Sequence, residues 1–133
     1  MDASDALALV LAEDEGDDVA ALLQSIMEQN GQFYVPELFW YEVCNGLLSA
    51  ERQGRIDSDA TKAAIAELGR LPIVCHPCGG EPFLTMVSEL ARKHGLTYYD
   101  AVYLELALRH QARLKSYDRH LVSLGRDYPD VIL

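Results

Sequence analysis

The chain has 133 residues, half of them hydrophobic, and a formal net charge of −10. This length suits a single domain, residues 1–133, with a real core, and no apolar run reaches the roughly 18 residues of a membrane helix. The first residues lack the basic region of a signal peptide, so we expect a soluble cytoplasmic protein. Three cysteines are too few for a disulfide framework. Cys75 and Cys78 have redox or half-zinc spacing but no matching second pair, and the segment is interpreted as a strand end followed by a turn.

Helices and short apolar strands alternate along the chain. Apolar residues at helical spacing predict helices over residues 4–12, 17–28 and 37–53, with a strand over 33–35 and a loop at the start of the acidic run 13–18. A helix from 57 or 58 to 71 precedes a strand over 72–75, and helices over 81–94 and 97–110 follow, the first ended by Gly95. A strand over 113–116, a short helix over 119–124 and an edge strand over 131–133 complete the chain. This alternation predicts an α/β fold in which a parallel sheet lies between two layers of helices.

The charge is distributed unevenly. Residues 1–51 carry eleven acids and no Lys or Arg, whereas residues 52–133 carry ten acids and eleven bases. Phosphates repel a net negative charge, so an RNA ligand would take its phosphate contacts from the later part of the chain. The candidate bases there include Arg92, Lys93, Arg109, Arg113, Lys115, Arg119 and Arg126. Each of them, taken singly, is better explained as part of an ordinary solvated surface.

Four acids lie among otherwise apolar residues: Asp2, Glu42, Asp100 and Asp118. Three of them have a simple structural alternative. Asp2 could be a disordered terminal residue, Asp100 forms an approximate capping box with Thr97, and Asp118 could cap the short helix that follows it. Glu42 is the hardest to explain structurally, because an acid among apolar neighbours costs free energy unless it is paired or binds a metal.

Taken together, the four acids indicate a site for a divalent cation. Clustered carboxylates resist ionising together, and a bound cation removes that penalty. Magnesium takes oxygen ligands, usually one or two carboxylates with waters and phosphate oxygens of a substrate. It also lowers the pKa of bound water and offsets charge that develops on a phosphoryl group. Because ligands of parallel α/β folds bind beyond the carboxyl ends of the strands, acids at strand ends suit phosphoryl chemistry. The sequence has no glycine-rich phosphate loop.

Four segments resemble the motifs of the PIN-domain family, and most closely those of its VapC-like toxins. They are Asp2-Ala3-Ser4 before an apolar helix, Val35-Pro36-Glu37 leading into Tyr41-Glu42-Val43-Cys44-Asn45-Gly46, Gly95-Leu96-Thr97-Tyr98-Tyr99-Asp100-Ala101, and Leu114-Lys115-Ser116-Tyr117-Asp118-Arg119. Each motif is weak alone. Their order and spacing extend over nearly the whole chain, which makes the resemblance specific.

The resemblance implies an endonuclease that cleaves RNA. Asp2, Glu42 and Asp100 would be the principal ligands of Mg²⁺ or Mn²⁺, and Asp118 would complete the acidic pocket. Hydroxyl groups that orient a ligand or water would come from Ser4 and Ser116. Asn45 lies one helical turn from Glu42 and could face the same pocket, although a helix-packing role is equally open.

The resemblance also implies two protein partners, a second copy of the chain and a cognate antitoxin that blocks the site. Phe39, Trp40 and Tyr41 are candidate anchors of the homodimer, since aromatic residues are favoured at interface cores. A place in the monomer's own core is an equally open interpretation of each one.

The sequence departs from the family pattern at its start. Family members carry a short apolar strand before the first acid, whereas only Met1 precedes Asp2 here. Either the true start of the chain lies upstream or this strand is truncated, and with a truncated strand we expect Asp2 to be poorly anchored. The alternative function is therefore a catalytically impaired PIN-like module that acts by binding another protein, which the acidic charge also favours. A different magnesium-dependent phosphoryl-transfer enzyme, such as a phosphatase, would need an aspartate nucleophile on a well-formed strand, and Asp2 lacks one.

Overall fold

The computed structural model of the protein describes residues 1–12 and 16–132, and its elements follow the predicted order. The helices are α1 (Ala3–Val10), α2 (Gly16–Glu28), α3 (Leu38–Arg52), α4 (Ser58–Leu68), α5 (Glu81–His94), α6 (Tyr98–His110) and α7 (Arg119–Ser123), and the strands are β1 (Phe33–Pro36) and β2 (Ile73–His76). A 3-10 turn covers Leu124–Arg126. The predicted helices are confirmed to within three residues at either end. Of the predicted acidic loop, residues 13–15 lie outside the described residues.

Strands β1 and β2 form a parallel pair. The N–H of Phe33 donates to the carbonyl of Pro72 and the N–H of Glu37 to the carbonyl of His76, both at 3.0 Å. Both strands advance by the same number of residues between these two bonds, as a parallel ladder requires. The predicted α/β class with a parallel sheet is therefore confirmed.

The two strands predicted near the carboxyl terminus are reduced to one parallel bridge, between Leu114 and Ile132. The N–H of Leu114 donates to the carbonyl of Val131 at 2.6 Å. The N–H groups of Val131 and Ile132 both donate to the carbonyl of Tyr128, at 3.1 and 3.0 Å. These donors close a turn, so they are not available to extend a ladder. Leu133, the last residue of the predicted edge strand, lies outside the described residues.

The chain divides into two compact units, and the first contains most of the predicted site. It comprises Met1–Asp2, Tyr34–Leu38 and Cys75–Leu133. Within it α6 packs against α5, and α6 is buried continuously over residues 101–107. Helix α5 ends at Gly95, whose φ of 65° lies in the left-handed region that glycine adopts at little cost.

The second unit comprises Ala3–Phe33 and Phe39–Val74, and in it α1 packs against α2 and α4. A Cβ atom on Gly16 would lie 2.7 Å from the carbonyl oxygen of Ala8, so the close approach of α1 and α2 requires a glycine. Helix α3 contributes Phe39, Val43 and Leu47, each fully buried, at the four-residue spacing of one helix face. Among the described helices, none is long and apolar enough to cross a membrane.

The three aromatic residues at the start of α3 have different environments. Phe39 is fully buried within the chain, which excludes it as an exposed dimer anchor and supports the core interpretation. Trp40 is half-buried and meets Phe39 edge-on at a centroid distance of 5.2 Å. Tyr41 is 74% exposed. Consecutive helix residues point in different directions, so the sequence run alone did not separate the three.

Candidate active site

Ser116, in the last fifth of the chain, contacts the buried carboxylate of Asp2 at its start. Asp2 is only 6% exposed and Ser116 only 5% exposed. The hydroxyl of Ser116 donates to Oδ2 of Asp2, and the hydroxyl oxygen of Ser116 accepts the N–H of Asp118 at 3.0 Å. The structure therefore brings together Asp2, Ser116 and the backbone of Asp118 in the first unit. The expectation that Asp2 is poorly anchored is wrong, because Ser116 holds its carboxylate.

Asp118 caps helix α7. Its Oδ1 accepts the N–H of His120 at 2.8 Å and the N–H of Leu121 at 3.1 Å. The structural interpretation of Asp118 is thus confirmed, and the side chain is exposed. Both cap bonds use Oδ1, which leaves Oδ2 for a further ligand.

Asp100 lies in the first turn of α6, where Thr97 is the N-cap. The hydroxyl of Thr97 accepts the N–H of Asp100 at 3.1 Å and donates to Oδ2 of Asp100 at 2.6 Å. The predicted capping relation between the two residues is confirmed, with a bond between side chains in addition to the cap itself. Asp100 is half-buried, and it follows Tyr99, which is 59% exposed. Thr97 therefore fixes the direction of the Asp100 carboxylate.

Glu42 and Ser4 lie in the second unit, on α3 and α1 respectively. Glu42 is partly exposed, so its surroundings are less apolar than its sequence neighbours indicate. Ser4 and Asn45 are both exposed. The convergence of all four acids on one ion stays a prediction.

The chemistry of the donor set suits a hard cation. Asp2, Asp100 and Asp118 offer carboxylate oxygens and Ser116 a hydroxyl, with no sulfur or imidazole among them, and magnesium usually binds one or two carboxylates together with waters. In residues 1–12 and 16–132, no three His, Cys, Asp or Glu side chains are close enough together to hold a metal ion. The protein would therefore supply few ligands, and water and substrate oxygens would complete the coordination.

Two buried acids escaped the sequence analysis. Asp5, on α1, is fully buried, and Glu105, on α6, is 5% exposed. Arg109 donates from Nε to Glu105 at 2.8 Å and from Nη2 at 3.3 Å. The spacing of four residues between Glu105 and Arg109 on one helix is typical of such an ion pair and could have predicted it. Asp5 lies among the apolar residues of α1, and the reasoning applied to Glu42 would have singled it out as well.

Cys75 lies near the end of β2, and Cys78 lies in the segment that follows it, as the sequence predicted. Both thiols are free and exposed. The N–H of Cys78 donates to Oε2 of Glu37 at 3.1 Å, which fixes the turn after β2. Partial desolvation of the Cys75 sulfur, although the residue is largely exposed, and then the charge of Glu37 raise the pKa of this thiol. A raised pKa lowers the fraction of thiolate, the form that attacks disulfides and binds metals.

Comparisons with known proteins agree with the resemblance drawn from the motifs. The family model of the PIN domain matches residues 1–127. Ribonuclease VapC3 from Pyrobaculum aerophilum is 29% identical over 121 residues, which cover 91% of this chain and 89% of that protein. The crystal structure of PAE2754 from Pyrobaculum aerophilum matches with a TM-score of 0.67 at 24% identity, over 98% of this chain and 79% of that chain, which supports the fold. The chain belongs to the PIN-domain family, and the VapC-like resemblance of its motifs is confirmed.

Proposed function

We propose that the protein is a metal-dependent endoribonuclease, the toxin of a toxin–antitoxin pair. The buried Asp2 carboxylate, held by Ser116 beside Asp118, is the observation that carries the proposal. Membership of the PIN-domain family and similarity to a protein named as a ribonuclease support it. Burial of a carboxylate costs free energy, and a cation bound at Asp2 would offset that cost.

The chain's own residues would hold the ion and orient the substrate. Asp2, Glu42, Asp100 and Asp118 would be the ligands of Mg²⁺ or Mn²⁺, directly or through water. Bound at these residues, the ion would lower the pKa of a water molecule and offset charge on the phosphoryl group. Ser116 donates to Asp2, and thereby keeps one carboxylate oxygen in a fixed direction. Ser4 would contribute a second hydroxyl that orients water or ligand.

Two protein partners and a location complete the proposal. An antitoxin would cover the acidic site and block access of RNA, and a second copy of the chain would form a homodimer in the cytoplasm. Tyr41 is the most exposed large hydrophobic residue in the part of the chain that the structure describes, and it remains a candidate for the dimer contact together with the half-buried Trp40. Interface cores favour tyrosine.

A second candidate function is a PIN-like module with an impaired site that acts by binding another protein. Two observations favour it. The described acids do not form a group of three ligands, and the net charge of −10 opposes RNA binding. In this case Asp118 would serve as a helix cap alone, and Asp100 would only accept the hydroxyl of the N-cap Thr97.

Single-turnover cleavage of RNA with Mg²⁺ or Mn²⁺, with and without EDTA, tests the proposed function. Wild type is compared with Asp100→Asn and Glu42→Gln, which keep side-chain size and remove the charge. We expect each substitution to lower the rate by roughly a hundredfold or more, because several kcal/mol of electrostatic stabilisation are lost. Tyr99→Phe, next to Asp100, is the control and should matter far less.

Cleavage that persists unchanged in EDTA, or a fully active Asp100→Asn variant, would contradict the metal mechanism. A folded wild type that never cleaves RNA but binds a protein partner tightly would establish the second candidate.

A further inference from the structure

The segment that carries Ser116 and Asp118 also presents a basic and aromatic face. Leu114 and Ser116 are buried, at 4% and 5% exposure, whereas Arg113 and Tyr117 are exposed and Lys115 is partly exposed. Arg113, Lys115 and Tyr117 are therefore more accessible to solvent than Leu114 and Ser116, the two residues that alternate with them.

Lys115 and Tyr117 form a cation–π pair. The ammonium nitrogen of Lys115 lies 3.7 Å from the centroid of the Tyr117 ring, and Tyr117 is 39% exposed. This contact restrains two side chains that would otherwise lose rotational freedom when a ligand binds. The pair offers a positive charge and an aromatic surface in a fixed relative position.

The pair lies next to the candidate active site. Tyr117 stands between Ser116, which holds Asp2, and Asp118, and neighbouring Cα atoms are about 3.8 Å apart. Tyr117 is thus bonded directly to two residues of the candidate site. Proteins that bind single-stranded nucleic acids combine positive charges for the phosphates with aromatic rings for the bases. The net charge of −10 repels phosphates, so a local cation such as Lys115 would favour binding of a phosphate group.

We propose that Lys115 and Tyr117 bind one nucleotide of a single-stranded RNA, adjacent to the bond that is cleaved. The base stacks on the Tyr117 ring, and the Lys115 ammonium pairs with a phosphate of the same strand. The proposal rests on the ribonuclease function proposed above. It adds the residues that bind the strand outside the metal ligands.

Binding of a fluorescein-labelled single-stranded RNA, followed by fluorescence anisotropy in EDTA so that the strand stays intact, tests the proposal. Tyr117→Leu removes the aromatic surface and should weaken binding roughly tenfold, as expected when one base loses its stacking partner. Tyr117→Phe retains the ring and should bind within about twofold of wild type. Lys115→Gln should lower the slope of log K against log salt by about 0.7, the value for one phosphate contact on a single strand.

Met27→Ala is the control, because Met27 is an exposed large side chain in the second unit to which no role is assigned. It should leave RNA binding unchanged, and thermal unfolding checks that every variant is folded. Saturating cleavage rates should change little in Tyr117→Leu, while the RNA concentration for half-maximal rate rises roughly tenfold.

Equal affinity and equal half-maximal concentration for wild type and a folded Tyr117→Leu would overturn the assignment and leave the ribonuclease function standing. A folded wild type that neither binds nor cleaves RNA in Mg²⁺ or Mn²⁺ would overturn both. A loss of affinity in Tyr117→Leu that Tyr117→Phe does not show supports the stacking assignment.

Discussion

Removal of the Ser116 hydroxyl should destabilise the protein substantially. This hydroxyl donates to the buried Asp2 carboxylate and accepts the N–H of Asp118. A hydrogen bond to a charged group contributes about 1.5–3 kcal/mol, and a buried acceptor left without its donor costs its desolvation. We expect Ser116→Ala to lower the free energy of unfolding by about 2 kcal/mol. With an unfolding entropy of about 2.1 cal/mol/K per residue, that change lowers Tm by about 7 °C.

Urea unfolding followed by circular dichroism in EDTA measures this effect without a bound cation. Ser123→Ala is the control, because the exposed Ser123 hydroxyl donates only to the carbonyl of His120, at 2.7 Å. We expect that control to change stability by less than about 0.5 kcal/mol. If Ser116→Ala destabilises no more than Ser123→Ala, the anchoring role of Ser116 is refuted. A double-mutant cycle with Asp2→Asn isolates the coupling, which should reach about 1 kcal/mol.

Three further predictions follow from local geometry. Asp118→Ala should cost about 1 kcal/mol of stability through loss of the α7 cap. Asp118→Asn keeps the cap and should lose only RNA cleavage. Unfolding and cleavage assays on both variants separate the two roles. Burial, and then the charges of His110 and Arg109, lower the pKa of His76 below its ordinary 6.5. Below pH 6.5 the folded state therefore binds fewer protons than the unfolded state, and the free energy of unfolding falls as the pH drops. Thermal unfolding from about pH 7.5 to 5.5 should show a weaker loss in His76→Gln than in wild type, and a loss like that of wild type in the exposed control His120→Gln. Gly16→Ala forces a Cβ atom against the Ala8 carbonyl and should cost about 1–3 kcal/mol; Gly69→Ala, where the nearest atom is an ordinary 3.4 Å away, should be close to neutral in the same unfolding assay.

The helices could be predicted from the sequence because their limits are set by nearby residues. Asp57 accepts the N–H groups of Asp59 and Ala60 at the start of α4. Gly95 ends α5, and Thr97 begins α6 two residues later. Each of these caps involves atoms at most four residues apart, so composition and spacing contain the information. The strands near the carboxyl terminus were overestimated because turn bonds to Tyr128 compete with the ladder, and an apolar pattern does not reveal that competition.

The candidate site could be predicted only residue by residue. The motifs identified Asp2, Asp100, Ser116 and Asp118, and Thr97 was recognised as a cap. The bond between Ser116 and Asp2 joins residues 114 positions apart, and no local pattern predicts a partner over that distance. The burial of Asp2 follows from the same long-range packing. The departure from the family pattern before Asp2 predicted a poorly anchored side chain, and the bond from Ser116 contradicts that prediction.

Helix capping and metal binding are compatible roles for the same carboxylates. The cap bonds use Oδ1 of Asp118, and the bond from Thr97 uses Oδ2 of Asp100, one oxygen in each case. Donors at a helix N-terminus interact favourably with a negative charge. They also restrain the side chain, so less conformational entropy is lost when an ion binds. The structural explanation of Asp100 and Asp118 therefore does not count against their proposed role as ligands, since each of these bonds leaves one carboxylate oxygen to another partner.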